Sequence, residues 1–177
     1  MSASDLQPTL IGPRVLIRPV VSEDWDDMFV AASDPRIWAV HPVRDRYKAE
    51  VFREFFDGAL ACGSAFAFVD RESGKIIGSS RYHGHDPAAR EIEIGWTFLA
   101  RAYWGGSYNA EVKKLMLDHA FGFVDTVVFY VGQTNRRSQR AMEKIGGVRR
   151  AELQPRTLSG VAHPHVVFEI RKSGYLP

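Results

Sequence analysis

The sequence predicts an α/β fold, a central mixed sheet with helices on both faces. Three observations lead there. Short apolar, β-branched segments and amphipathic segments follow one another in the order β-α-α-β-β-β-α-β-α-β-β. The stretch EIEIGWTFL, Glu91 to Leu99, alternates apolar and polar residues as a half-buried strand does. Directly after it, the small residues of WGGS open a long amphipathic helix. No internal repeat interrupts this order, and one domain over residues 1–177 accommodates it. A chain of this size buries roughly 70% of its unfolded surface.

Each element has its own signal. RVLIRPV, Arg14 to Val20, is a strand that stops near Pro19. Ser22 is expected to cap the next helix, whose first turn is acidic and which Pro35 closes. YKAEVFREFFDGALACG places Val51, Phe52, Phe55, Phe56 and Ala59 at helical spacing, with Gly63 as the stop. SAFAFVD and KIIGSSRYHGH are strands joined by the turn RESG. In EIEIGWTFL, strict alternation puts Ile92, Ile94, Trp96 and Phe98 on one face and Glu91, Glu93, Gly95 and Thr97 on the other. After WGGS, Val112, Leu115, Met116, His119, Ala120 and Phe123 form the apolar stripe, and Glu111, Lys114 and Asp118 mark a solvated face. TVVFYVG is a buried strand, and Tyr130 reads as part of its core. NRRSQRAMEKIGG is a compact helix capped by Asn135 and stopped by Gly146. The tail reads as two strands around a turn at Ser159–Gly160.

Composition excludes several function classes. Twenty-three basic residues against 21 acidic ones give a net charge of +2, with no basic stripe, which argues against nucleic acid as partner. The one cysteine, Cys62, permits no intrachain disulfide. The opening MSASDLQPTL has no basic segment leading into an apolar one, and no apolar run approaches the ~20 residues of a membrane span. The expectation is a soluble cytoplasmic protein without membrane contact. HGH and HPH each space two histidines for one strand face, but no third ligand stands nearby, so no metal is expected. Either pair could instead line a pocket with Arg81 and Arg156.

The Gly-Gly-Ser before a helix has two readings. It is a turn and a cap, or it presents bare N–H groups and a helix dipole to an anion. No Gly-Lys-Ser/Thr follows, which excludes a P-loop, and the glycine spacing is not that of a dinucleotide-binding fingerprint.

Four stretches, in order, carry a resemblance over nearly the whole chain: RVLIRPVVSEDWDDMF, EIEIGWTF leading into WGGSYNAE, LMLDHAFGFVDTVVFYV, and NRRSQRAMEKIGG. The sequence resembles the GNAT acyltransferase superfamily, nearest the branch of the ribosomal-protein N-terminal acetyltransferases. The resemblance implies a GNAT-like fold and acetyl transfer from acetyl-CoA directly to a primary amine, on a protein N-terminus or a small molecule, with no metal. It also suggests a homodimer. The family's loop pattern, Gln or Arg, two residues, Gly, one residue, then Gly or Ala, falls here on Trp104, Ser107 and Asn109, and all three depart from it. Gly105 and Gly106 supply small residues just upstream, and Ser107 can cap the helix or donate to a phosphate.

By this resemblance the cofactor site comprises backbone groups of Phe98 and Leu99, the loop Trp104, Gly105, Gly106, Ser107, Tyr108 and Asn109, and the helix cap Asn135. Glu93 is the candidate general base through water, with Glu91 close enough to influence it. The alternative is that one or both carboxylates simply face solvent or pair with Arg81 or Arg90. Ser138 is the candidate partner of the leaving thiolate, by hydrogen bonding, or a packed first-turn serine. Tyr130 and Tyr108 are alternative proton donors. Trp38, His41, Arg81, Tyr82 and His83 are candidate acceptor-site residues, while Trp25 and Phe29 read as core. The competing reading from another class is a catalytically inactive module of the same fold that binds CoA or a protein partner. Free CoA thiol released with some amine distinguishes the two.

Overall fold

The computed structural model describes residues 5–176. The first four residues of the opening segment therefore lie outside it. Strands β1 (Leu10–Ile11) and β2 (Val15–Pro19) precede three helices, α1 (Trp25–Ala32), α2 (Pro35–Trp38) and α3 (Ala49–Cys62). Strands β3 (Ala65–Asp70), β4 (Ile76–Asp86) and β5 (Glu91–Leu99) lead to α4 (Tyr108–Ala120). Then come β6 (Thr126–Gly132), α5 (Arg136–Lys144) and the hairpin β7 (Val148–Leu158) and β8 (Val161–Arg171). The expected order holds, with β1 and the short α2 as additions.

The eight strands form one sheet in the order β1-β2-β3-β4-β5-β6-β8-β7. Every neighbouring pair is antiparallel except β5 and β6, which run parallel and pair only at Glu91↔Thr126, Ile92↔Val127 and Glu93↔Val128. Two apolar layers cover the faces. Helices α4 and α5 pack through Val112, Met116, Leu117 and Met142 onto Ile92, Ile94, Val127 and Phe129. Helices α1 to α3 pack through Met28, Trp38, Phe52 and Phe56 onto Ala65, Ala67 and Phe98. Trp25 and Phe29 stack on each other at 5.5 Å beside this second layer.

Caps close the helices where local chemistry demands it. Asn135 Oδ1 accepts the Ser138 N–H at 3.2 Å. Gly63, at φ 67°, takes the left-handed turn that ends α3. Ser22, in contrast, is not a cap. Residues 22–24 form a 3₁₀ turn, and Asp24 accepts the Val21 N–H at 2.9 Å while pairing with Arg18 at 2.8 Å. A carboxylate held by a guanidinium makes stronger hydrogen bonds than a hydroxyl, so Asp24 organises this entry.

Two further expectations are corrected. Glu111 does not face solvent; its carboxylate accepts the N–H groups of Arg14 at 3.0 Å and Val15 at 2.6 Å and ties α4 to the start of β2. And β5 does not alternate strictly. Trp96 stands at φ 51°, where the β4–β5 register shifts between Ser79/Arg81. This bulge re-aims every side chain after it. Ile92 and Ile94 face α4, whereas Trp96 and Phe98 belong to the layer under α1 to α3.

Candidate active site

The parallel pairing of β5 and β6 ends at Glu93↔Val128. Beyond that point β5 continues to pair with β4 up to Leu99, and its other edge has no strand partner. An unpaired edge is a row of N–H and C=O groups open to a ligand that carries amides. The open throat is bounded on one side by the loop before α4 and on the other by the start of α5.

The loop is shaped by Trp104. Its indole N–H donates to the Leu99 carbonyl at 2.8 Å, and its ring carries the Arg137 guanidinium at 3.9 Å. Arg137 donates in turn to the Ile37 carbonyl at 3.2 Å, so α5, α2 and the loop meet at this ring. Gly105 takes φ 71°, and a side chain at Gly105 or Gly106 would meet nothing within 4 Å. Bare backbone thus lies exposed in the loop just before α4. Ser107 makes no capping bond to its helix; its hydroxyl accepts from Arg14 Nη1 instead. Arg14 therefore stands at this helix terminus, a cation that strand periodicity alone does not reveal. Tyr108 is turned away, donating to Asp70 at 3.1 Å. Asn109 is half-buried on the first turn.

On the sheet face under α1 to α3 stands an ion pair. Arg156 of β7 donates to both oxygens of Glu93, at 2.6 and 2.7 Å. Its guanidinium is sandwiched between Trp96, at 5.0 Å, and Tyr130, at 4.1 Å. Tyr130 is thus a site-facing side chain rather than core. Arg150 joins Glu91 at 2.7 Å and Glu169 at 2.9 Å. The carboxylates do pair with arginines, but with Arg156 and Arg150, not with Arg81 or Arg90. Arg90 holds Asp125, and Arg81 donates to the Phe55 carbonyl and stacks on Trp96 at 4.8 Å. Partners from β7 are 59 and 63 residues away, so no local spacing announces them.

Asn135 and Ser138 sit together at the start of α5, beside the end of β6. There Gly132 is pressed by Pro42, whose Cγ would lie 2.8 Å from an added Cβ. A cleft of about 410 Å³ opens beside this contact, between the segment from Pro42 to Glu54 and the β7–β8 tip. Asp45, Glu50 and Glu54 line one wall and His163 the other.

The proposed acceptor-site residues do not all reach this space. Tyr82 is fully buried on the α4 face and donates to the Met116 carbonyl at 2.6 Å. Trp38 is buried and donates to the Ala32 carbonyl at 2.8 Å. The polar atoms of both are spent on backbone carbonyls inside the protein. Arg81 is buried against Trp96, and His83 is exposed with its ring 5.0 Å from the same indole. His83 and His85 do not share a face: Gly84, at φ 61°, sends His85 toward Phe123. Among the described residues, no group of three His, Cys, Asp or Glu side chains converges, and no helix is long and apolar enough to cross a membrane.

His41 lies beside the cleft and accepts the Val43 N–H on Nδ1 at 2.9 Å. Burial, reinforced by the Arg46 guanidinium, pulls its pKa down to about 3. The folded protein keeps His41 neutral, whereas the unfolded chain protonates it near 6.5. The unfolded state then binds more protons, so stability should fall as pH drops from 6.5 toward about 3. The limit is about 1.4 kcal/mol per pH unit. Urea midpoints across that window, for the wild type and His41→Asn, check this. The variant should lose stability less steeply with acid; equal slopes would mean that His41 titrates normally.

Lys113 escaped the sequence reading. It sits on α4 in line with buried Leu117 and Ala120, is only 4% exposed, and places Nζ 3.1 Å from Thr97 Oγ1. The signal was available: a lysine at i, i+4, i+7 spacing with apolar residues is out of place on a solvated face.

Comparison with known proteins follows the same lines. Residues 14–148 match the family model described as an acetyltransferase (GNAT) domain. A GCN5-related N-acetyltransferase from Brucella melitensis superimposes with a TM-score of 0.82 at 20% identity, over 94% of this chain and 80% of that one. An acetyltransferase of the GNAT family from Bacillus anthracis gives 0.73 at 20% identity, over 94% and 99%. Mycobacterium smegmatis RimJ in complex with CoA-disulfide gives 0.68 at 20% identity, over 94% and 87%. At such identities the likeness is one of fold.

Proposed function

Since the chain belongs to the GNAT family of acetyltransferases, we propose that its splayed β5–β6 pair and the first turn of α4 form the acetyl-CoA site of an N-acetyltransferase acting by direct transfer to a primary amine. The observation that carries this is the end of the β5–β6 pairing at Glu93↔Val128, which leaves the β5 edge open beside exposed backbone at Gly105 and Gly106.

The residues fit the cofactor's chemistry. Its two amides can pair along the free β5 edge near Thr97, whereas the Phe98 carbonyl is turned to Gly78 of β4. Its pyrophosphate suits the N–H groups and dipole at the start of α4, with Arg14 as a nearby cation. Leu99 contributes less than the resemblance implies, since its carbonyl is taken by Trp104. Asn135 is half-committed to its cap, and the Ser138 hydroxyl, without a hydrogen-bond partner among the described residues, suits the leaving sulfur. When bound, acetyl-CoA supplies the activated acyl group. Glu93 can still accept a proton through a water on the lone pairs that do not face Arg156. The cleft beside the Pro42–Gly132 contact sets the carboxylates of Asp45, Glu50 and Glu54 against the single cation Arg44, and this negative excess favours an acceptor bearing positive charge.

Calorimetric titration of the purified protein with acetyl-CoA, CoA and ATP tests the site. Micromolar acetyl-CoA binding with ATP much weaker is expected, followed by release of CoA thiol in an amine screen. Absence of acetyl-CoA binding would overturn the cofactor site. Binding without turnover on any amine would favour the inactive module.

A further inference from the structure

Lys113 poses a physical problem. Lys113 is only 4% exposed, and among the described residues no carboxylate lies within ion-pair distance of its ammonium. Among the described residues Thr97 Oγ1 is its one hydrogen-bond acceptor, at 3.1 Å, and that hydroxyl is shared with Ser80 at 2.8 Å. The Phe129 ring lies 5.2 Å away. Two of the three N–H donors of the ammonium have no described protein acceptor. Burial draws its pKa down to about 8, which leaves it protonated at neutral pH. An unpaired buried cation is costly, and proteins keep one where a counter-charge arrives from outside.

The position says where that counter-charge belongs. Thr97 is on β5 and Phe129 on β6, and both follow the last residues that these strands pair, Glu93 and Val128. The ammonium therefore stands in the mouth of the splay, on the α4 side. No other charged group competes for it. Glu93 is on the opposite face with Arg156, Glu111 is turned to Arg14 and Val15, and His119 is bound near Asp5.

We propose that Lys113 is the cationic group of the thioester site: its ammonium, aimed by Thr97 into the β5–β6 opening, stabilises the negative charge that collects on the cofactor sulfur as the acetyl group leaves. This rests on the cofactor site proposed above. In the step served, the amine nitrogen bonds to the acetyl carbon, the C–S bond breaks with its electron pair remaining on sulfur, and the proton of the amine leaves to water or Glu93. Lys113 keeps its own proton and balances the thiolate by charge.

The experiment needs no acceptor. Thiolate ultraviolet absorbance of the protein–CoA complex is followed from about pH 6 to 10, with the desulfo-CoA complex as blank. In the wild type the bound thiol should titrate about one unit or more below free CoA. Lys113→Met should remove that shift with little loss of CoA affinity, and should raise Tm because an unpaired buried charge is gone. Lys113→Arg should retain the shift. A bound thiol that titrates like free CoA in the wild type overturns the proposal without recourse to any variant, as does a shift that survives in Lys113→Met. Failure of wild-type protein to bind CoA would strike the cofactor site itself, a separate result.

Discussion

Gly78→Ala is expected to cost more than about 3 kcal/mol and to abolish cofactor binding with it. Gly78 lies on β4 opposite Leu99, and a Cβ there would stand 2.2 Å from the Phe98 carbonyl oxygen. The obstacle is backbone, so no rotamer change relieves it. Leu99 Cδ2 and Phe68 Cδ2, each at 3.2 Å, block the sideways escape. Either β5 must leave β4, or the residues that form the free edge must move by more than an ångström. The first loses stability and the second loses the throat. At about 2–4 °C per kcal/mol for a chain of this length, Tm should fall by roughly 6–12 °C. Thermal unfolding and acetyl-CoA calorimetry on the same preparation read both effects. An unchanged Tm with normal binding would show that β5 sits less tightly on β4 than the structure describes.

The second large effect concerns Glu93 and Arg156. The Glu93 side chain is 5% exposed and that of Arg156 21%, and they share two short hydrogen bonds. Removing one partner strands the other. A fully buried pair costs about 3–5 kcal/mol to break this way. Glu93→Gln should cost about 2–3 kcal/mol, less than that limit, because Arg156 keeps some water and its stack between Trp96 and Tyr130. Arg156→Met should cost more, since it leaves an unpaired carboxylate in a nearly dry place. The double variant should recover much of the lost stability, because no stranded charge remains. Activity should not follow stability. If Glu93 takes the proton, kcat falls by about 10²–10³ in Glu93→Gln and stays low in the double variant. If the pair only braces β7 against β5, kcat returns when stability does. Denaturant midpoints and kcat over the cycle decide between the two.

Much of the architecture was legible from residues a few positions apart. The order of strands and helices, the Asn135 cap, the Gly63 stop and the amphipathic helix after WGGS all came from local periodicity and cap chemistry. These features depend on interactions within about one turn or one strand pair, so they are written in contiguous residues. The site was only partly legible. Glu93 is the last residue of β5 to pair with β6, and its guanidinium partner comes from a hairpin 63 residues further on. Tyr82 and Trp38 are candidates because the resemblance places the early helices beside the acceptor cleft; in the structure both are buried and donate to backbone carbonyls.

By itself the sequence determined the order of the main strands and helices, the helices on both faces and the small residues just before α4. The tertiary structure alone decided which way the side chains of β5 point. A non-glycine residue at φ 51° gains nothing locally, so Trp96 holds that conformation only because β4 and the packing on both faces over-determine it. That single bulge sends Trp96 to the Arg156 stack and leaves Thr97 facing Lys113. The spacing of Lys113 with Leu117 and Ala120 hints at its burial, but which groups it meets, like the Glu93–Arg156 pair across the sheet, is fixed by long-range packing.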